Sequence, residues 1–165
     1  MKKVLGLLLA LASLFCVGTA AVACANDTII VQTNAYFAPF EYYDGTEIVG
    51  GDVDIMNKVG EKMGKKVEFR DGDFAIIIDT VRQGRTADAG AAGITITPAR
   101  EELVDFSIPY YTSVQYVIWD EANPDFVTQK AADGTTDIVL WEDLRGKKIG
   151  VQLDTTGNLY VSGEI

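Results

Sequence analysis

The chain is 165 residues long and carries 24 Asp and Glu against 14 Lys and Arg, a formal net charge of −10 at pH 7, with no histidine and two cysteines. The missing histidine excludes Ser-His-Asp and Cys-His catalytic pairs and histidine metal ligands, and the acidic balance argues against a nucleic-acid backbone binder. Apolar residues at 48% and aromatics at 10% are too many for a disordered chain, and the length suits about one domain.

Met1-Lys2-Lys3 opens the chain with positive charge, and residues 4–23 carry none. The apolar run ends in Ala20-Ala21-Val22-Ala23, directly before Cys24 and the polar Asn26-Asp27. Charged start, apolar middle and small-residue exit form a secretory signal, with Ala21-Val22-Ala23 as the cleavage pattern. A retained membrane anchor is the other reading, because about 20 apolar residues can span a bilayer. The same stretch resembles a bacterial lipoprotein box, with Ala21 where that pattern usually has Leu, so Cys24 is a lipidation candidate. Cleavage before Cys24 would remove Cys16 and leave no intramolecular disulfide. Asn26-Asp27-Thr28 also matches a glycosylation sequon, a common triplet.

Thr28 to Thr33 is a β-rich run that predicts a buried strand, followed by a loop with Phe37, Pro39 and Phe40. Asp52 to Gly64 reads as a helix: Val53, Met56, Val59 and Met63 form one stripe, with Asp52 as N-cap and Gly64 as the stop. Lys66 to Arg70 is a second strand, and Phe74 to Arg82 a second helix ending near Gly84. Asp88 to Gly93 is a third strand, small enough for something to approach closely. Thr97-Pro98 opens a short helix, Thr as cap and Pro at its first position. Thr112 to Trp119 and Lys148 to Gln152 read as further strands. Between them lie turn signals at Asn123-Pro124 and Asp133-Gly134 and a short helical piece from Leu140 to Arg145. Asp154 to Gly157 is a polar turn, and Asn158 to Ser162 a helix start. Strand and helix alternate, so the fold class is α/β with a parallel-dominated sheet flanked by helices.

Chemistry concentrates between Gly93 and Arg100. In an open α/β sheet ligands sit beyond the carboxyl ends of strands, which is where Gly93 and Thr95 fall. Arg100, one turn past the cap, could hold a carboxylate through two parallel hydrogen bonds. It could equally be a surface side chain paired with Glu101, Glu102 or Asp105.

Residues 91–110, AAGITITPAREELVDFSIPY, closely resemble the signature of amino-acid-binding proteins of ABC importers, which are two-lobed periplasmic binding proteins. Tyr36-Phe37-Ala38-Pro39-Phe40, Gly50-Gly51-Asp52-Val53-Asp54-Ile55 and the stretch from Leu144 to Val151 agree in the same order. The resemblance covers essentially Thr28 to Tyr160 and implies roles for matched positions. Arg100 grips the ligand's α-carboxylate, Thr95 donates a hydroxyl to it, and Gly93 offers its carbonyl to the α-ammonium. Phe37 and Phe74 pack on the ligand side chain, with core packing as their alternative. Thr155 and Thr156 belong to the second-lobe turn that closes over the carboxylate. Asn34 and Asp52 match positions that hold carboxylates in relatives specific for basic amino acids. One acid of the two is present here, which argues against basic-ligand specificity, and a polar amino acid is the expected ligand because Asn34 and Asp52 would sit near the pocket.

The resemblance divides the chain into a signal peptide at 1–23, a first ligand-binding lobe at 24–119 lacking its C-terminal return, and a hinge connection with an incomplete second lobe at 120–165. The chain by itself is therefore expected to bind amino acids poorly. The implied function is extracytoplasmic capture of a free amino acid, without cofactor or metal, and delivery to the membrane permease of an ABC importer. Nucleic acid is not an expected partner, and membrane contact is expected only through the signal peptide or a lipid anchor. A ligand-sensing domain for a membrane receptor and a dehydratase-like enzyme of the same fold are the alternatives. No residue is nominated as catalytic.

Overall fold

The computed structural model describes residues 27–120, 122–123 and 128–163; the signal run, its cleavage site and Cys24 lie outside the described residues. β1 (Thr28–Thr33) is the middle strand of a three-stranded parallel sheet, between β5 (Lys66–Asp71) and β6 (Ala89–Gly90). Its register runs from Thr28 opposite Lys66 to Thr33 opposite Asp71 on one side, with Val31 and Gln32 opposite Ala89 and Gly90 on the other. A strand bonded on both edges suits β-branched residues, and Ile29, Val31, Gln32 and Thr33 are all buried. Ile29 and Val31, two residues apart and so on one face, form the core with Ala91, Met56, Val67, Phe69 and Ala89.

An antiparallel meander precedes the first helix: β2 (Tyr36–Phe37), β3 (Glu41–Asp44) and β4 (Glu47–Val49). The sequence predicts a loop with Phe37, Pro39 and Phe40 here, whereas the structure forms a small sheet. The overlooked signal is Asp44-Gly45, a dipeptide suited to a tight hairpin, with Gly45 at φ 62°.

α1 (Gly51–Met63) follows, one residue off the expected span, and ends at a left-handed Gly64 as anticipated. Its N-cap is Gly50, however, and Asp52 makes no capping bond. No side-chain cap is needed, because the Gly51 and Asp52 amides donate to the Pro39 and Phe40 carbonyls, each at 2.9 Å. Gly50 sits at φ 130°, and a Cβ there would overlap the Phe40 carbonyl. Asp52 is thereby free for the interior bonds described below.

The second helix begins as a 3₁₀ turn at Phe74–Ile76 and continues as α2 (Ile77–Gln83), closed by a left-handed Gly84. Fully buried Ile77 explains the small residues of the third strand: a Cβ on Gly90 would lie 2.7 Å from Ile77 Cγ2. That strand is shorter than the expected Asp88 to Gly93, and both flanks stay tied to β1 by the Asp88 and Ala91 amides, which donate to the Ile30 and Gln32 carbonyls, and by side-chain bonds. The Asp88 carboxylate accepts from the Ile30 amide at 2.8 Å, and Thr33 Oγ1 donates to the Ala91 carbonyl at 2.6 Å. α3 (Pro98–Glu101) starts as expected, with Thr97 accepting from the Arg100 amide.

Two expected strands do not form. Thr112 to Trp119 and Lys148 to Gln152 have no ladder among the described residues. A strand exists only through a neighbour's backbone, and here the apolar side chains stand open, Ile118 at 92% exposure. β7 (Gln129–Lys130) and β8 (Asp137–Ile138) form a hairpin across the Asp133-Gly134 turn. A 3₁₀ turn at Trp141–Leu144 and α4 (Thr156–Ser162), capped by Thr155, complete the described chain. Among the described residues no helix is long and apolar enough to cross a membrane.

Gly60 gives a test of the packing of α1 on β5. A methyl group there would lie 2.5 Å from Val67 Cγ2 and 2.9 Å from the Lys65 carbonyl. Gly60→Ala should therefore destabilise by about 1–3 kcal/mol through overpacking, although alanine in a helix normally gains about 1 kcal/mol over glycine. Gly51→Ala in the same helix, with nothing closer than 3.9 Å, should cost nothing. Denaturant midpoints of the two variants measure the contrast.

Candidate functional site

The carboxyl ends of β1 and β6 and the start of α3 converge on one rim. Asn34 leaves β1 with its side chain buried; Nδ2 donates to the Gly72 carbonyl at 2.8 Å and Oδ1 accepts from Gln152 Nε2 at 2.9 Å. Beyond β6, Gly93 turns at φ 54°, and a Cβ at that position would meet Phe37 Cε1 at 2.8 Å. The glycine thus allows the turn and the close approach of the ring. Phe37 is 49% exposed, stacked on Phe40 with centroids 5.3 Å apart, and Phe40 meets Tyr111 edge-on at 5.0 Å.

Arg100 is 8% exposed. Nη1 donates to the Thr95 carbonyl at 2.8 Å, Nη2 to the Asp154 carbonyl at 2.5 Å, and the guanidinium lies 5.7 Å from the centre of the Phe74 ring. Among the described residues it forms no ion pair with Glu101, Glu102 or Asp105, which removes the surface-pair reading. Burial pushes its pKa down, partly opposed by the charge of Asp154. The guanidinium still stays protonated. Its hydrogen bonds end on neutral carbonyls, so among the described residues the positive charge is held at the rim with no carboxylate ion-paired to it, and the Asp154 charge acts on it only from a distance. Such a site attracts an anionic group.

The segment 152–156 faces this rim. Thr95 Oγ1 and Thr156 Oγ1 are hydrogen-bonded at 2.6 Å. Asp154 adopts a left-handed backbone, φ 59°, with its amide on Asn158 Oδ1 at 2.9 Å, which presents its carbonyl to Arg100. Thr155 is occupied differently: its hydroxyl donates to the Gln152 carbonyl at 2.7 Å and accepts from the Asn158 amide as the cap of α4.

Asn34, Phe37, Phe74, Gly93, Thr95, Arg100 and Thr156 are therefore brought together, while Thr155 serves its own helix. Asp52 is 1% exposed and lies beneath the rim; Oδ2 accepts from the Gly93 amide and Oδ1 from the Tyr110 hydroxyl, both at 2.8 Å. Its carboxylate meets the backbone of the rim from below. Gln152, Asp154 and Tyr110 carry no local signal of a role at the rim, because each acts through a contact between residues 54 to 118 positions apart. A concavity of about 970 Å³ lies to one side under residues 113–120 and meets the rim at Thr95 and Thr156. Among the described residues no cluster of His, Cys, Asp or Glu could hold a metal.

Comparisons with known proteins identify relatives of this chain. The model of a family described as bacterial extracellular solute-binding proteins, family 3, matches residues 29–152. The arginine-binding extracellular protein ArtP of Bacillus subtilis (strain 168) is 36% identical over 162 residues, 93% of this chain and 56% of that protein. The putative ABC transporter arginine-binding protein 2 of Escherichia coli (strain K12) is 32% identical over 140 residues, 84% of this chain and 51% of that protein. The solved structure of an ancestral arginine-binding protein bound to arginine superposes with a TM-score of 0.64 at 36% identity, covering 83% of this chain and 55% of that one. The chain spans about half the length of these relatives.

The forked geometry of Arg100 generates a prediction independent of any ligand. Arg100→Lys keeps the charge but cannot reach the Thr95 and Asp154 carbonyls together. Losing one bond to a charged donor, about 1.5–3 kcal/mol, should speed hydrogen exchange of the amides at Asp154 and Asn158 by roughly 10- to 150-fold. Amides of β1 should exchange at unchanged rates.

Proposed function

The chain belongs to family 3 of the bacterial extracellular solute-binding proteins, and from that membership we propose that it is the ligand-capturing part of an exported binding protein that takes up a free amino acid for an ABC importer. The observation that carries the reading is Arg100, a buried guanidinium without a carboxylate partner at the carboxyl edge of a parallel sheet. The ligand's α-carboxylate would replace the neutral Asp154 carbonyl at Nη2, exchanging a neutral acceptor for a charged one. Thr95 and Thr156, now bonded to each other, offer hydroxyls to the same group. Gly93 offers a carbonyl to the ammonium, and the Phe37 and Phe74 rings flank the ligand side chain.

Arginine is the ligand to test first, because the relatives are named for it and aromatic faces favour a flat cation. Asn34 and Gln152, paired across the rim, provide amide oxygens for such a group, and a polar neutral amino acid would use the same amides. We assign residues 24–119 to the first lobe and 120–165 to the connection and the second-lobe segment. Closure of that segment over the rim would shield the ligand from water. The site holds and releases its ligand unchanged; no chemical step belongs to this reading. Family membership supports export; delivery to a membrane permease is part of the proposal, and Cys24 is the candidate attachment point for lipid.

Titration calorimetry on this chain joined to the C-terminal half of the Bacillus subtilis relative tests the proposal. Arginine should bind in the joined protein, and Arg100→Ala should weaken it by about 2–5 kcal/mol, roughly 30-fold to several-thousand-fold. Arg100→Lys should not restore it. An alanine variant binding within about threefold of its parent would remove Arg100 as the anchor.

A further inference from the structure

Two carboxyl side chains are sealed beneath the rim, and they have unequal surroundings. Asp52 receives two donors, the Gly93 amide and the Tyr110 hydroxyl. Glu41, at the start of β3, is 1% exposed, and no donor from any described group reaches either of its oxygens. Neither acid is ion-paired with a cation among the described residues. An ionised carboxylate buried without donors is costly to maintain. The two acids are neighbours: the Asp52 amide donates to the carbonyl of Phe40, the residue before Glu41, both side chains are about 1% exposed, and the Asp52 carboxylate acts on Glu41 through its charge and a side-chain bond. Two ionised carboxylates cannot bond to one another, but one bond forms between them if one acid keeps its proton.

We propose that Glu41 and Asp52 share one buried proton and act as a positioning pair, Glu41 donating to Asp52 so that the Asp52 carboxylate holds the Gly93 amide and the Tyr110 hydroxyl together. Gly93 belongs to the rim, and Tyr110 to the extended segment that leads from α3 toward the second half of the chain. The pair therefore ties the binding loop to the outgoing chain at a single carboxylate. Glu41 is a positioning residue: it acts through Asp52 and touches no ligand. Its consequence for capture rests on the function proposed above, whereas the proton is open to test without ligand.

The titratable groups facing Glu41 are Asp52 from α1 and Tyr110 from the segment after α3. Burial first, then the Asp52 charge and the bond shared with it, pushes the Glu41 carboxyl up to about 9. Burial and the bond to Asp52 likewise push the Tyr110 phenol up. The unfolded chain releases the Glu41 proton near the ordinary value of 4.5, while the folded chain keeps it to about 9. The folded state thus binds more protons in that window, and the contribution of Glu41 to stability falls as pH rises through it.

Carboxyl-¹³C glutamate labelling of the ligand-free protein, followed by NMR across pH, is the test. One glutamate should titrate near 9 and the others in the ordinary range, and the Gly93 amide shift should move with that one. Glu41→Gln, whose amide donates as the protonated acid does, should abolish that titration, leave the Gly93 shift independent of pH and flatten the loss of thermal stability between about 4.5 and 9. Glu41→Ala, with no donor, should not hold Gly93 in place. If every glutamate titrates in the ordinary range the shared proton is wrong, and if Gly93 fails to follow Glu41 the positioning role is wrong. Both readings come from the unsubstituted chain, so they decide the matter even if a variant does not fold. Arginine binding lost at Arg100 but with this titration intact would separate the failure of the capture function from that of the pair.

Discussion

Both parallel ladders of the main sheet run through β1, and its carboxyl end is where the candidate binding groups are attached. Six residues of β1 are in register with β5, and two with β6. These ladders bring the ends of three strands to one edge, so Asn34, Gly72 and Ala91 become neighbours although the chain separates them widely. The contacts that finish the edge are side-chain bonds to backbone: Asn34 to Gly72, Thr33 to Ala91, and the Asp71 carboxylate accepting from the Ala35 amide at 2.8 Å. A polar rim on a parallel sheet follows from the geometry, because the strands end there and their last backbone groups need partners.

The rim is supported electrostatically from beneath and met from the other side by residues 152–156. Asp52 is satisfied by an amide and a phenol, while Arg100 bonds only to neutral carbonyls and forms no ion pair among the described residues. A buried cation among carbonyls retains its attraction for an anion, and a buried carboxylate with two donors retains little. The two charges therefore have different work, one positioning backbone and the other facing the incoming group. Glu41 extends the lower layer. Its neutral form would let two acids share a small interior volume without the repulsion of adjacent like charges.

Close approach sets the remaining dimensions. Gly50 admits the Phe40 carbonyl, Gly90 admits Ile77, Gly60 admits Val67 and Gly93 admits the Phe37 ring. Each glycine marks a place where one element comes nearer to another than a β-carbon permits. The helices lie on the sheet, and the aromatic ring lies on the binding turn, for the same steric reason.

Much of this was legible along the chain because it depends on neighbours in sequence. The alternation of TIIVQT, the Val53-Met56 stripe, the Gly64 stop and Thr97-Pro98 each act within a few residues, and their signals are local. The same holds for the Asp133-Gly134 turn, and would have held for Asp44-Gly45. Arg100 and Thr95 stood out for their place just after the third strand. Tertiary contacts decided the rest. Whether 112–119 and 148–152 are strands depends on a partner backbone, which an apolar run alone cannot provide. Asp52 has the local pattern of a cap, yet the Pro39 and Phe40 carbonyls took the amides it would have bonded, and its carboxylate turned to Gly93 and Tyr110. Glu41 looks along the chain like any acid of an exposed strand. Only the packing of α1 against the meander buries it beside Asp52, because a side chain's surroundings are set by residues the fold brings from elsewhere.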